Sequence, residues 1–582
     1  MTMDADHSQF IDMGEVGSNE QVSYLLNRTK SKLMFTRNKS AQFAILEDLD
    51  LQLRKYDGDR KRSLREAILR SESSPLSANL QQSFSFSLHL KGELSELFQR
   101  YSDPKRKADL IALGGEAYQA EAERLAVCYQ PHLLSLLEQE EVIIQEQLQF
   151  FSRHGLSIRG FAAPTGKLRY DLQNPAREHR RTSYDNYISS LERDRQVTHE
   201  RFLDLHKIRR ELADKAGFRS FEEYQIRRLG VSDMLHDAIP TYHKLVRQHF
   251  LPLANTIRFQ QAKRLDLNVL RPWDYFLLSA YGTPELDQDA YPLADCFLSS
   301  LEEIIEKQLD YFVKMNADGD LQIKPAPSVH ERDLREEQLS PSDIADESYT
   351  LHLFMTDSQK TTLILQNIAQ ELIVDRLFNM TGKVMLDLSE SLRNPLYLPR
   401  LPAHYERDLA SFSLALLSYN SWDKFYGPMA DYAREWNLTQ YTLELPILSA
   451  MDQMERELGR SEESDMSVFA SHWQAIMANY SVDYSSTQLF SFAPVEDAYL
   501  YLPELWSKPL SSVYRGLSLI QTLASFPFRR YNHTLEENLV RFLNLENRKN
   551  PLARAMIAGY LSPFTNETFR KATFLLADKL GL

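Results

Sequence analysis

The sequence contains few cysteines and no long apolar stretch. Cys128 and Cys296 are its two cysteines among 582 residues. They are too few and too far apart for a disulfide framework, so we expect two reduced thiols. No window reaches the roughly 18 consecutive apolar residues that indicate a membrane-spanning helix. The acidic N-terminal segment also lacks the basic stretch and apolar core of a secretion signal. These absences predict a cytoplasmic protein without a membrane segment.

Basic residues are also fewer than acidic residues. The chain has 67 Lys and Arg residues against 81 Asp and Glu residues, which gives a formal net charge of −14. Nucleic acids and anionic membranes bind basic surfaces, so this charge argues against both as partners. Apolar residues are abundant, at 43%, and aromatic residues make up 11%. This composition is typical of a globular protein with a substantial core.

Apolar residues recur mostly at three- and four-residue spacing, which predicts a mainly α-helical fold. We expect a mobile tail at residues 1–20 and an N-terminal helical lobe at 21–172, with a short strand-like insert near 155–172. A second helical lobe is predicted to cover residues 173–582.

Two segments of the second lobe matter most for function. Alternating residues over Tyr349–Met355 predict a strand, which would belong to one small sheet. Residues 361–378 carry apolar residues at helical spacing and are predicted to form a helix. On that helix Gln366 and Gln370 would share one stripe, four residues apart.

Signatures of common catalytic sites are missing from the chain. The sequence has no Gly-x-Ser-x-Gly elbow and no Gly-x-Gly-x-x-Gly turn. None of its fifteen histidines has a second histidine four residues further on. That spacing would place two zinc ligands on one helix face. We therefore expect no metal ligands and no catalytic residues.

Four stretches, in order along the chain, carry a family resemblance. They are Ala213–Gly230, Lys263–Tyr275, Asp408–Leu417 and Glu504–Tyr514. Together with the residues around 361–378, they resemble successive segments of the M3 (oligoendopeptidase F-like) metallopeptidases. The second stretch is similar to the Leu-x-Pro-Trp-Asp segment of that family, and the third falls where the family has Glu-Val-x-Ser-Met. The chain is identified as a degenerate M3-like protein.

The resemblance implies a two-lobed helical ellipsoid with a deep central channel and a small β-sheet near the cleft. It also implies a zinc ion held by the two histidines of a His-Glu-x-x-His helix and by a glutamate from a second helix. The motif glutamate would activate water. In this chain the matching window is either Leu365–Ala369 or Gln366–Gln370, and neither window contains a histidine or a carboxylate.

The remaining family positions are altered too. Asp408 falls on the downstream glutamate ligand, Glu504 on a histidine and Ser511 on a tyrosine that would stabilise the tetrahedral intermediate. The resemblance therefore predicts no zinc cofactor, with zinc expected only if the ligands are misplaced. The altered positions that are candidates to line the channel are Leu365, Gln366, Asn367, Ala369, Gln370, Asp408, Glu504, Ser511 and Tyr514.

Three functions are compatible with this pattern. The first is a pseudopeptidase that binds peptides or a protein partner in its channel without zinc-dependent cleavage. The second is an active zinc oligopeptidase whose ligands lie elsewhere in the sequence, and the third is a helical scaffold with a closed channel. For the first function, Asp408 and Glu504 predict a preference for peptides that carry Lys or Arg.

Overall fold

The fold is known from a computed structural model of the chain, and it is predominantly helical, as the sequence predicts. The structure describes residues 19–582 except for the ranges 71–75, 102–103, 155–165, 231–232, 281, 288–291, 328–348, 394–403, 481–494, 527–533 and 547–549. The predicted tail at 1–20 therefore lies almost wholly outside the described residues. None of the described helices is long and apolar enough to cross a membrane.

The first half of the chain is built from α-helices, the longest of which have 32 residues. Their bounds are α1 Asn19–Phe35, α2 Lys39–Arg70, α3 Leu76–Gln99, α4 Pro104–Cys128, α5 Leu134–Arg153, α6 Gly166–Gln173, α7 Arg177–Arg193, α8 Arg195–Ala216, α9 Phe221–Arg228, α10 Asp233–Arg264, α11 Leu293–Ile305 and α12 Leu309–Ala317.

Helices also form most of the second half. Their bounds are α13 Gln370–Arg393, α14 His404–Leu417, α15 Asp423–Tyr426, α16 Ala430–Arg460, α17 Met466–Tyr480, α18 Pro503–Ser507, α19 Ser512–Ser525, α20 Thr534–Asn544, α21 Pro551–Ala558 and α22 Asn566–Leu580. Helix α14 packs against α19, and α16 packs against α10 and α19.

Three strands form a single small sheet in the described structure. They are β1 Leu321–Pro325, β2 Tyr349–Met355 and β3 Lys360–Ile368, and their spatial order is β1-β3-β2. Strands β1 and β3 are parallel, with Leu321 opposite Leu363 and Lys324 opposite Gln366. The strand predicted from the alternation at 349–355 is confirmed.

The helix predicted at 361–378 is wrong. Strand β3 covers its first half, and α13 begins only at Gln370. The apolar run from Leu363 to Leu365 is fully buried, and a short run of buried residues suits a strand covered on both faces as well as it suits a helix. Asn367 then adopts a left-handed backbone conformation with φ of 52° near the end of the strand.

The strand-like insert predicted near 155–172 is also wrong where it can be compared. Residues 155–165 lie outside the described residues, and the following segment is helix α6, Gly166–Gln173. Its buried residues Arg169 and Leu172 lie three residues apart, which is a helical spacing rather than the two-residue spacing of a strand.

The chain divides into two compact units. The first comprises Met1–Leu134, His352–Thr362 and Ser391–Arg400, and the second comprises Ser135–Leu351, Leu363–Glu390 and Leu401–Leu582. The first boundary between the two units lies after Leu134, whereas the boundary between the two predicted lobes lies after residue 172. All side chains discussed below belong to the second unit, and the central channel stays a prediction.

Candidate functional site

The site is built where α13 and α14 approach each other closely. A methyl group placed on Gly382 of α13 would lie 2.4 Å from the carbonyl oxygen of Ala410 and 2.8 Å from Cα of Ser411, both on α14. Backbone atoms at such distances cannot move aside as a flexible side chain can. Glycine at this position therefore lets the two helices pack backbone to backbone, and the next residue of α13, Lys383, is brought beside Asp408 of α14.

We expect Gly382→Ala to destabilise the protein by about 1–3 kcal/mol, because the added methyl group overpacks the contact between the two helices. Chemical unfolding of both proteins, followed by circular dichroism, measures this loss. Lys244→Ala, at an exposed position of α10, is the control and should change the free energy of unfolding by less than about 0.5 kcal/mol. An unchanged stability of Gly382→Ala would contradict the close approach.

Lys383 and Asp408 are coupled electrostatically without forming an ion pair. Both side chains are half-buried. Burial lowers the pKa of Lys383 to about 8, the carboxylate of Asp408 opposes this shift, and the positive charges of Lys508, Arg515 and Arg407 add to it. Among the described residues neither side chain forms a hydrogen bond or ion pair with the other or with a third residue. Lys383 and Asp408 are thus opposite charges with free hydrogen-bonding capacity.

Two further ionisable groups face the same charges. Burial raises the pKa of Glu504 to about 7, with Lys508 and Arg515 opposing the shift and Glu444 supporting it. The surrounding protein lowers the pKa of His404 to about 4, although water reaches the ring, and the charge of Lys508 contributes to that shift. At neutral pH the His404 ring is therefore uncharged and Glu504 is about half protonated. We call Lys383, His404, Asp408, Glu504, Lys508 and Arg515 the Lys383 cluster.

One turn before Lys383, on the same face of α13, Asn379 belongs to a hydrogen-bonded group. Its amide Nδ2 donates to the backbone oxygen of Asp375 at 2.8 Å and to Oδ2 of the same residue at 2.9 Å. The hydroxyl of Tyr441 donates to the other carboxylate oxygen of Asp375. Burial raises the pKa of Asp375 to about 6, against the opposing effect of the Tyr441 hydroxyl. These hydrogen bonds fix the side chain of Asn379, and its amide group cannot act as a base.

Five candidates, between residues 365 and 370, lie in strand β3, at its junction with α13 and at the first residue of α13. Leu365 is fully buried in β3, where it faces Ile323 of β1, and Gln366 is half-buried in the same strand. Asn367 and Ala369 lie at the junction between β3 and α13. The side chain of Gln370 links neighbouring segments of the backbone. Its Oε1 accepts from the backbone N–H of Leu286 at 2.9 Å, and its Nε2 donates to the backbone oxygen of Ala326 at 3.2 Å.

The other four candidates lie in three places. Asp408 and Glu504 belong to the Lys383 cluster. The hydroxyl of Ser511 donates to the backbone oxygen of Lys508 at 2.6 Å and serves the turn before α19. Tyr514 lies instead in the electrostatic neighbourhood of a separate buried ion-pair network, in which Arg456 binds Asp452 at 2.7 Å and Glu222 at 2.8 Å.

Sequence reasoning missed Lys383, His404, Lys508 and Arg515. The signal that could have found Lys383 is the Gly382-Lys383 pair inside an apolar helical segment, with Asn379 four residues earlier. Arg515 could not be found from sequence, because it is held by Glu444, 71 residues away, with Nη2 at 3.3 Å from Oε2. That pairing depends on the packing of α16 against α19.

Comparison with known structures confirms the predicted resemblance at the level of the fold. An oligoendopeptidase F structure superimposes with a TM-score of 0.81 at 17% identity, covering 97% of each chain. Pz peptidase A with an inhibitor gives a TM-score of 0.81 at 16% identity over 98% of each chain. An oligoendopeptidase F from Bacillus anthracis str. Ames gives 0.77 at 16% identity over 97% of each chain. No sequence-family profile and no curated protein sequence matches this chain.

The expectation that the protein has no cofactor is contradicted by these neighbours. They are oligoendopeptidases of the M3 type, and the resemblance describes that type as zinc-dependent. The expectation rested on the spacing of the fifteen histidines and on their absence from residues 365–370, a segment that forms a strand end and a helix start rather than the middle of a helix. The composition of that segment therefore says nothing about a metal.

The donor set of the Lys383 cluster does not fit zinc. Helix α13 contains neither histidine nor cysteine, and the ammonium group of Lys383 repels a cation at the position beside Asp408. Zinc in proteins is bound by imidazole, thiolate and carboxylate groups. Within the part of the chain that the structure describes, no three such side chains come together as a metal site.

Proposed function

We propose that this protein binds peptides on an oligoendopeptidase-type fold and does not hydrolyse them. The fold supports a peptide ligand, because neighbours that match nearly the whole chain carry the names of peptidases. At these identities the fold alone is shared, so the proposal depends on the chemistry of the Lys383 cluster.

The observation that carries the proposal is the pair formed by Lys383 and Asp408. An ammonium group can only donate hydrogen bonds, and a carboxylate can only accept them. Among the described residues neither group is paired, and half-buried ionised groups without partners cost free energy. A peptide main chain offers a carbonyl oxygen to Lys383 and an N–H group to Asp408. A bound peptide would therefore satisfy both groups at once.

The same residues explain why we propose binding without cleavage. Peptide hydrolysis requires water that is activated by a base or a metal beside the scissile carbonyl. At positions 379 and 383 of α13 the side chains are an amide and an ammonium, and the ionisable groups His404, Asp408 and Glu504 of the Lys383 cluster come from other segments of the chain. The amide cannot take a proton from water near neutral pH, and the ammonium already carries one. Lys383 can orient and polarise a carbonyl group, which favours binding.

The test is calorimetry with a mixed library of short peptides, combined with mass spectrometry of the same mixtures. We expect saturable binding and no cleavage products, both with added zinc and with a chelator present. Lys383→Met and Asp408→Asn should each weaken binding by at least about tenfold, which corresponds to about 1.4 kcal/mol.

Lys244→Met, at an exposed position of the same unit, is the matched control and should bind peptides as the parent does. Hydrolysis that a chelator abolishes would show an active metallopeptidase and overturn the proposal. Absence of binding to every peptide, with a folded protein, would leave the scaffold function instead.

A further inference from the structure

We infer that a buried water molecule bridges the side chains of Glu455 and His206, and that this bridge supports the turn at Leu510. The turn lies in the segment 505–511, which carries Lys508 of the Lys383 cluster and leads into α19. This water site is independent of the proposed peptide binding.

The water site is a cavity among α8, α16 and the residues around α18. The cavity has a volume of about 20 Å³, and its apolar wall includes Phe202, Phe221 and Leu458, all of them buried. A water molecule needs a volume of about 10–15 Å³ and two to four polar partners. The cavity therefore has room for one water molecule, and the polar atoms of its wall decide whether that molecule is held.

Two polar atoms of the cavity wall lack a partner in the protein. Glu455 and His206 both line the cavity, and they are only 3% and 5% exposed. Within the described residues, neither Oε1 of Glu455 nor Nε2 of His206 forms a hydrogen bond. A buried polar atom without a hydrogen bond costs free energy, and ordered water is a common partner where no protein group reaches the atom. One water molecule between the two side chains satisfies both atoms.

Glu455 supplies a hydrogen-bond donor to this water. Burial raises the pKa of Glu455 well above its usual range, so the carboxyl group favours its protonated form. Its Oε2 accepts from the backbone N–H of Leu510 at 2.9 Å. The proton therefore resides on Oε1, the oxygen without a protein partner, and the O–H group can donate to the water.

His206 supplies the matching acceptor. Its ring centroid lies 5.1 Å from that of Phe469 and 6.4 Å from that of Phe202, and these contacts fix the ring. Burial lowers the pKa of His206 to about 4, and a hydrogen bond to the backbone of Glu463 opposes this shift. The ring is therefore neutral, and we assign its proton to Nδ1 because Nε2 has no protein partner. The water accordingly accepts from Glu455 and donates to Nε2 of His206.

The carboxyl group of Glu455 in turn holds an unfavourable backbone conformation. Leu510 has a φ of 63°, in the left-handed region that residues with a side chain rarely adopt. Such a conformation persists only where the surrounding structure enforces it. The carbonyl oxygen of Pro509 accepts from Nε2 of Gln225 at 3.1 Å, and the N–H of Leu510 is held by Glu455. The water fixes the orientation of that carboxyl group and thereby supports the turn.

A crystal structure of the parent protein at high resolution tests the water site. We expect one water molecule within about 3.2 Å of both Oε1 of Glu455 and Nε2 of His206. Glu455→Gln should keep this water, because an amide can accept from Leu510 and donate to the water. His206→Leu should lose it, because leucine offers no acceptor. A direct hydrogen bond between Glu455 and His206, or ordered side chains without a water between them, would overturn the site, as would a water retained in His206→Leu.

Hydrogen exchange of the Leu510 backbone amide tests the support of the turn. We expect exchange at least about tenfold faster in Glu455→Leu and at least about threefold faster in His206→Leu, because local opening then exposes this amide more often. Glu455→Gln should stay within about twofold of the parent, and so should the matched control Glu457→Leu, at an exposed position of the same helix. Unchanged exchange of the amides in α22 shows that the effect is local.

An exchange rate in His206→Leu equal to that of the parent would overturn the link between the water and the turn. Exchange in Glu455→Gln at least about tenfold faster than in the parent would show that a charged carboxylate is required, and would reject the neutral bridge. The parent structure, His206→Leu and Glu455→Gln decide the inference even if Glu455→Leu does not fold. None of these measurements uses a peptide, so their failure leaves the proposed function unaffected.

Discussion

Arg554→Met is expected to destabilise the protein by about 3–5 kcal/mol. Arg554 is fully buried on α21, with Nη2 at 2.6 Å from Oε1 of Glu390 and Nη1 at 3.0 Å from Oε1 of Glu406. It also donates to the backbone oxygens of Phe542 and Leu545. Its removal takes the ion-pair partner away from two buried carboxylates, and the loss of one member of a buried ion pair costs free energy of this size. Chemical unfolding measures the change.

Two controls separate this explanation from a general loss of packing. Arg541→Met removes an exposed helical ion pair with Glu537, whose atoms are 3.5 Å apart, and should cost less than about 1 kcal/mol. The triple variant Arg554→Met, Glu390→Gln, Glu406→Gln removes both stranded charges and should recover much of the loss. A triple variant no more stable than Arg554→Met alone would show that packing, and not unpaired charge, dominates. Because Glu390 and Glu406 lie on α13 and α14, these ion pairs also link the two helices that carry Lys383 and Asp408.

The main features of the fold follow from local patterns in the sequence. Helical spacing of apolar residues predicts the predominance of helices, and alternation predicts the strand Tyr349–Met355. Both patterns are signals of a few consecutive residues in which polar and apolar side chains recur at a fixed spacing. The segment Leu363–Leu365 has no such contrast, because all of its residues are apolar and buried. These three residues therefore show no two-residue alternation, and the helical spacing of residues 361–378 extends the predicted helix over strand β3.

Because the helix predicted at 361–378 is wrong, the candidate site on α13 lies further along the chain than the sequence predicts. Once α13 begins at Gln370, the residue of that helix that interacts with Asp408 is Lys383, more than three turns further on. Gly382 marks this position, because only its missing side chain lets α13 lie against Ala410. The acids Asp408 and Glu504 could be predicted from the family resemblance. Their electrostatic surroundings could not, because Lys383 comes from α13, Lys508 from the turn after α18 and Arg515 from α19, and these segments meet only in the folded chain.

Glu504→Gln is expected to stabilise the protein at pH 8 by roughly 2–3 kcal/mol and to leave its stability near pH 4.5 almost unchanged. Burial raises the pKa of Glu504 from 4.5 to about 7, so the folded protein binds this proton more tightly than the unfolded chain does. The stability that this provides is fully present below pH 4.5. It is lost as the pH rises from 4.5 through 7, because the side chain must then carry a charge in a half-buried position.

Glutamine keeps the shape and the hydrogen-bonding oxygen of the side chain and has no charge to acquire. Unfolding curves of both proteins between pH 4.5 and pH 8 should therefore diverge progressively as the pH rises. Glu463→Gln, at an exposed position, should follow the parent at every pH. Parallel curves for Glu504→Gln and the parent would show that Lys508 and Arg515 compensate the charge of Glu504 completely. If the curves diverge as expected, the parent protein keeps a carboxyl group in the Lys383 cluster at a cost in stability near neutral pH, which is the pattern of a residue retained for function rather than for folding.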